Sequence, residues 1–258
     1  MKIHQRPIRI TRQRKGDWIQ LHHGLFTHKS FGKSEHGPEY FIEQSAIKCC
    51  IDGCESPLTT MELGAGWGQQ TLNMVGYCRQ VKKYSVSYCV EADPTHYKRL
   101  LRVLRRNDIP AIPIYGAVSK ELGWAGFQNK GELYAKHAWA QHLTRSNEEP
   151  TTQVPTFTLD WLFENFQIPK IHILHMDVQG AETAVITGGL KSLPLIDNII
   201  IGIHAGDHIN AIPELFKRHS PEHKVVLSLP KYSGLQHIEG FDEPVDIRFD
   251  GVLILSRV

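Results

Sequence analysis

The run Met61-Glu62-Leu63-Gly64-Ala65-Gly66-Trp67-Gly68 limits what this chain can fold into more than any other stretch. It reads as a buried strand ending in an acid, then a glycine turn, then the start of a helix. Open α/β sheets build a nucleotide-type cofactor site in this way, at the carboxyl end of the first strand. Glycines at 64, 66 and 68 give G-x-G-x-G, not the G-x-G-x-x-G of dinucleotide sites. The acid stands two residues before the first glycine. There it would repel a diphosphate but suit a cationic group.

S-adenosylmethionine carries an ammonium and a sulfonium and no phosphate, so the pattern points to that cofactor. Glu62 is expected to bind the ammonium, directly or through water. Gly64, Ala65, Gly66, Trp67 and Gly68 let the backbone approach the methionine portion, because glycine lacks a Cβ. The bland alternative is a turn that is merely rich in glycine. A second acid, Glu91, ends the next strand, where a carboxylate accepts the ribose hydroxyls of an adenosine cofactor. Its bland alternative is an acid that complements a helix dipole. Asp93, before Pro94, serves that purpose better, as an N-cap. Ala92 and Ala117, after the second and third strands, and Asp177, at the end of the fourth, complete the expected cofactor contacts.

Strand and helix patterns alternate through the middle of the chain. Residues 59–63, 84–90, 111–115, 171–176 and 198–203 read as strands; 69–77, 95–107, 160–165, 181–188 and 209–219 read as helices. Residues 224–229 and 251–256 are two final strands with no helical pattern between them, so they are expected to pair antiparallel. The implied architecture is a Rossmann-like α/β fold. Its seven-stranded sheet is mainly parallel with an antiparallel last strand, and helices cover both faces. Residues 39–258 are read as the cofactor-binding domain, with a helix at 39–51 and a turn-rich insertion around 120–155. Residues 1–38 are read as a basic N-terminal extension, expected to form a short hairpin over the active site. Eight Lys or Arg within residues 1–33 face one acid, Asp17.

At 258 residues, with 41% hydrophobic and 22% charged residues, the chain can bury a sizeable core. A net charge of +2 predicts no dominant polyanion partner. No window approaches the roughly 18 apolar residues of a membrane span, and the basic N-terminus has no apolar h-region. The expected location is cytoplasmic. Cys49, Cys50 and Cys54 lack the paired C-x-x-C spacing of zinc sites and read as core thiols. Lys98, Arg99, Arg102, Arg105 and Arg106 recur at helical spacing. Such a face is usually just solvated, although it could attract an anionic substrate or RNA. No aromatic-rich basic module supports a nucleic-acid partner.

Two further strand ends carry chemistry. Asp177 follows the fourth strand and faces the reactive end of the cofactor, where it can hold a hydroxyl, orient another group or bind a metal. The bland alternative is an N-cap assisted by Glu182. His204 follows the fifth strand and is the candidate general base, because its ordinary pKa lies near neutrality. Asp207 and His208 are read as a helix cap and a solvated side chain.

These residues resemble a known family. Glu62 to Gly68 with Glu91 is similar to the cofactor motif of class I S-adenosylmethionine-dependent methyltransferases. The run Met176-Asp177-Val178-Gln179-Gly180-Ala181-Glu182 resembles the Asp-Val-Glu-Gly-Ala-Glu signature of the FkbM-type members. Residues 158–162 and Ile203-His204 fit the same pattern. The resemblance covers about residues 40–258 and implies O-methylation of a small molecule, a sugar or secondary metabolite, with Asp177 and His204 carried over. Three positions depart from it: Gln179 replaces the usual Glu, His175 stands where Lys is common, and Gly202 where Glu often precedes the strand 5 His. A carboxylate-rich metal site is weakened by those departures, so a role for Mg²⁺ stays open. An NAD-dependent oxidoreductase on the same fold and an RNA-directed methyltransferase or binding module stay open as alternatives. The methyl acceptor and the oligomeric state are not legible.

Overall fold

The structure, a computed structural model, describes residues 14–15, 18–20, 25–28, 38–127, 152–239, 241, 243–248 and 250–257. Seven strands make the central sheet: β1 (Leu58–Leu63), β2 (Ser85–Glu91), β3 (Ala111–Tyr115), β4 (Ile171–Met176), β5 (Ile196–Ile203), β6 (His223–Leu229) and β7 (Gly251–Arg257). Their spatial order is β6-β7-β5-β4-β1-β2-β3. The strands from β5 to β3 pair parallel, whereas β7 runs antiparallel to both β5 and β6. The last strand thus slots inside the sheet and leaves β6 at the edge.

Among the described residues, six α-helices pack on it: α1 (Pro38–Gly53), α2 (Gln69–Gln80), α3 (Pro94–Arg106), α4 (Leu159–Asn165), α5 (Glu182–Thr187) and α6 (His208–His219). The central strands are apolar on both faces because helices cover both. Ile173, Ile200 and Ile254 lie under Ile42, Ile47 and Ile51 of α1 and Met74 of α2. Leu174, Ile199, Ile201 and Leu255 lie under Leu162 of α4, Ile186 of α5 and Phe216 of α6. Asp93 starts α3 as expected: its Oδ1 accepts from the His96 N–H at 2.7 Å, and Pro94 opens the helix. The helix α2 runs to Gln80, three residues past its expected end, because Cys78 still faces the buried core.

Outside the central sheet, Ala117–Val118, Gly123–Phe127 and Thr152–Phe157 form a small side sheet. The expected insertion therefore leaves and re-enters the domain as paired strands; its residues 128–151 lie outside the described residues. Within the N-terminal extension, Arg14–Lys15, Trp18–Gln20 and Phe26–His28 pair antiparallel, and Leu25 packs against Leu72 of α2 and Val103 of α3. The rest of residues 1–37 lies outside the described residues. No helix among the described residues is long and apolar enough to cross a membrane.

Candidate active site

The carboxyl ends of β2, β1, β4 and β5 line up along one edge of the sheet. Glu62 is in register with His175, and His175 with Ile200. Alternation along the strands then puts Glu62, His175, Asp177, Gly202 and His204 on the face that α1 covers.

The glycine turn is built on close approaches. Gly64 has φ +75°, and a Cβ there would stand 1.8 Å from the Asp177 carbonyl oxygen. Gly68 has φ +81°, and its Cβ would meet Leu100 Cδ1 at 2.7 Å. The Gly66 N–H donates to Glu91 Oε2 at 2.6 Å, and the Asp93 N–H donates to Oε1 at 2.7 Å. Burial pushes the Glu91 carboxyl up to about 8 despite these bonds. Ala65 is buried against Leu100 and Leu104. Trp67 is buried, with the Arg99 guanidinium 4.6 Å above its ring. Arg99 is thereby withdrawn from the basic face of α3, whereas Lys98, Arg102, Arg105 and Arg106 are exposed. Ala92 and Ala117 sit together in a small apolar cluster beyond β3.

Glu62 is engaged differently from the expectation. Its Oε1 accepts from the Gln70 N–H at 3.1 Å and its Oε2 from the Thr71 N–H at 2.8 Å and the Thr71 hydroxyl. The residue at the helix start, Gly68, has no side chain to cap α2. Glu62 does so instead, from the strand below, and satisfies donors that every helix start leaves open. A direct bond from Glu62 to a cofactor ammonium would compete with those contacts.

At the ends of β4 and β5, His204 Nε2 lies 3.3 Å from Asp177 Oδ1 and 3.6 Å from Asp250 Oδ2. The Gln179 amide donates to Asp177 Oδ1 at 2.6 Å and stands 2.8 Å from His204 Nε2. On the other side of the ring, Nδ1 is 2.8 Å from Oε1 of the fully buried Glu182. That oxygen also accepts from the Gly180 N–H at 2.9 Å, and Oε2 lies 2.6 Å from His208 Nδ1. Lys231 Nζ donates to the His204 carbonyl at 2.8 Å. Burial alone would lower the His204 pKa. The Glu182 hydrogen bond and the charges of Asp177, Asp250 and Glu182 outweigh it and pull the pKa up to about 9. Burial likewise opposes ionisation of Glu182, but its bonds from His204 and Gly180 hold it below the usual range.

The structure therefore brings Asp177 and His204 together. It also corrects two expectations. His208 is not solvated; its ring is held by Glu182. Asp207 stands at the start of α6 but makes no capping bond. Glu182, taken as an aid to a helix cap, is the hub of the cluster, and its place five residues after Asp177 in the 176–182 run was the available signal. Asp250 and Glu43 carried no such signal. Glu43 of α1 lies 3.3 Å from His175 Nε2, with Oε1 facing the bare backbone of Gly202. Two departures from the FkbM pattern, at 175 and 202, thus meet around one carboxylate. Among the described residues, no group of three or more His, Cys, Asp or Glu side chains is placed to hold a metal ion. The five cysteines are free thiols.

Residues 62–229 match the methyltransferase FkbM domain family. The hexuronic acid methyltransferase AglP of Haloferax volcanii is 24% identical over 164 residues, which cover 64% of this chain and 63% of that protein. The match thus spans less than two thirds of that relative. The crystal structure of methyltransferase FkbM from Methylobacillus flagellatus KT superposes with a TM-score of 0.51 at 10% identity, covering 88% of this chain and 57% of that chain. That likeness is one of fold: a Rossmann-like class I methyltransferase sheet with helices on both faces.

Proposed function

The chain belongs to the methyltransferase FkbM domain family, and we propose that it is an S-adenosylmethionine-dependent O-methyltransferase acting on a hydroxyl of a sugar or related secondary metabolite. The observation that carries this reading is the 3.3 Å approach of His204 Nε2 to Asp177 Oδ1, at the strand end where Gly64 touches the Asp177 backbone. The name of the Haloferax relative supports a sugar acceptor.

The residues present fit the cofactor. Gly64, Gly66 and Gly68 all take positive φ and leave those three positions of the turn without a side chain. Glu91 offers a buried carboxylate whose contacts here are backbone N–H groups, leaving lone pairs for two ribose hydroxyls. Trp67, within the turn, is buried against Arg99 and His96. When bound, S-adenosylmethionine supplies an electrophilic methyl group.

Asp177 orients the acceptor hydroxyl, and His204 Nε2 takes its proton once the ring is neutral, so turnover is expected to rise as pH approaches about 9. Glu182 holds the ring through Nδ1 and stabilises the imidazolium that results. Alignment of the hydroxyl supplies much of the rate gain in a displacement of this kind. These roles are filled by the chain's own side chains, and the acceptor in this reading is a small molecule.

Calorimetry with S-adenosylhomocysteine tests the cofactor assignment. Glu91 must ionise fully to accept both hydroxyls, so below about 8 binding is expected to release a proton and to tighten as pH rises. Binding with no pH dependence in that window would remove Glu91 from the ribose site. No binding at all would return the NAD-dependent reading to the front. A parallel titration with Mg²⁺ present should be superimposable; tighter binding there would bring a divalent ion into the site.

A further inference from the structure

Glu43 is a largely buried acid that the reading above does not use. It comes from α1, outside the segment that matches the family. The first turns of α1 stand at the cofactor edge: the Tyr40 hydroxyl accepts from the Gln69 and Asn73 amides of α2. Glu43 Oε2 accepts from Gln70 Nε2 at 3.0 Å and lies 3.3 Å from His175 Nε2. The carboxylate is thus held in place from α2 and from β4.

Its other oxygen borders a niche. A Cβ on Gly202 would stand 3.6 Å from Glu43 Oε1, 3.4 Å from His204 Cε1 and 3.8 Å from the Met176 carbonyl oxygen. Of these three nearest atoms, the two polar ones are both acceptors. Such a niche suits a group made only of donors, and an ammonium is one.

The position agrees with the course of the cofactor. Glu91 ends β2, and the sheet continues through β1 and β4 to β5. A cofactor whose ribose is held at Glu91 runs its amino-acid end over β1 towards β4 and this niche. The acid of the glycine motif, Glu62, is committed more fully than Glu91: its Oε2 takes both the N–H and the hydroxyl of Thr71, and its Oε1 is turned to the Gln70 N–H. Beside Asp177, which the reading above assigns to the acceptor, Glu43 is the carboxylate on the same face that remains.

We propose that Glu43 receives the ammonium of the cofactor's amino-acid end, held for that task by His175 and Gln70; the assignment rests on the S-adenosylmethionine reading above. The helix α1 is then part of the cofactor site and not merely a cover for the sheet.

Two ligands separate this role from a structural one. S-adenosylhomocysteine carries the amino-acid end; methylthioadenosine has the same adenosine and thioether but lacks it. By calorimetry, Glu43→Gln is expected to weaken S-adenosylhomocysteine about tenfold or more, the loss of a charge-assisted hydrogen bond. Methylthioadenosine should bind the variant as it binds the parent. Gly202→Ala gives a second test that leaves Glu43 in place. Its Cβ would make ordinary contacts, at 3.4 Å and beyond, yet fill the niche, so it should show the same selective loss. Equal losses for both ligands would mean that Glu43 only holds the fold, and unchanged affinity for both would place the ammonium elsewhere. Either result overturns the assignment while the cofactor reading stands. A parent protein that binds neither ligand overturns both.

Discussion

Gly64→Ala is expected to destabilise the protein by about 3–5 kcal/mol, a large share of the stability of an ordinary domain. Two effects add. At φ +75° an alanine sits in the left-handed region, at a cost of about 1–2 kcal/mol. The larger effect is steric: the new Cβ would stand 1.8 Å from the Asp177 carbonyl oxygen and 2.8 Å from its carbon. Both are backbone atoms and cannot swing aside. They are pinned, moreover, because the Asp177 N–H donates to the Leu63 carbonyl at 2.9 Å and the Gly64 N–H donates to the Val90 carbonyl at 3.0 Å. Relief requires the ends of β1 and β4 to part, which moves Asp177 as well. Gly180→Ala is the control. Its φ is +101°, but nothing lies within 4 Å of its Cβ, so only the dihedral strain of about 1–2 kcal/mol applies. Urea denaturation of the two variants measures the difference. Equal losses would show that the strand ends part freely, and Gly64 would then matter only as a turn residue.

Gly64 also shows which part of the site a sequence can disclose. A glycine before a helix and after an apolar strand is a local signal, and so is an acid or histidine at a strand end. The positions of Glu91, Asp177 and His204 at the strand ends were legible for that reason, since the carboxyl edge of a parallel sheet collects such residues. The alternation of short apolar runs with helical periods disclosed the layers. The absence of a helical pattern between β6 and β7 disclosed their antiparallel pairing. What each carboxylate does was not legible. Glu62 lies close in sequence to Gln70 and Thr71, yet choosing between a ligand and a helix start requires knowing which way α2 leaves the turn. His208 reads as a first-turn surface residue until α5 is packed against α6, which sets Glu182 beside it. Glu43 and His175 are 132 positions apart and meet only because α1 crosses the sheet above β4. Long-range polar pairing of this kind leaves no periodicity behind.

Glu182→Ala and Glu182→Gln are expected to differ sharply, and their pH dependence identifies the partner responsible. The carboxylate is fully buried and holds His204 Nδ1, His208 Nδ1 and the Gly180 N–H. Alanine leaves two imidazoles and an amide around a hole, a loss of about 3–5 kcal/mol. Glutamine keeps the volume and one acceptor, so the loss should be closer to about 1–2 kcal/mol. The charge is what glutamine removes, and it supports the proton on His204. The His204 pKa is raised from 6.5 to about 9, so its stabilisation is complete below 6.5 and disappears as pH rises through about 9. That rise corresponds to on the order of 3 kcal/mol in the parent. Glu91 acts in the same window with the same sign: its carboxyl is raised to about 8, so folding is increasingly penalised from 4.5 upwards. His175 is raised by Glu43 against its own burial and also loses stabilisation as pH rises. These two contributions are common to parent and Glu182→Gln and cancel in the comparison. Urea titrations across the window should show the parent losing more stability than the glutamine variant, because only the charges of Asp177 and Asp250 still hold the proton in the variant. Identical slopes would mean that Glu182 fixes the ring without sustaining its charge. His204 would then draw its proton affinity from the exposed acids, and salt should weaken it accordingly.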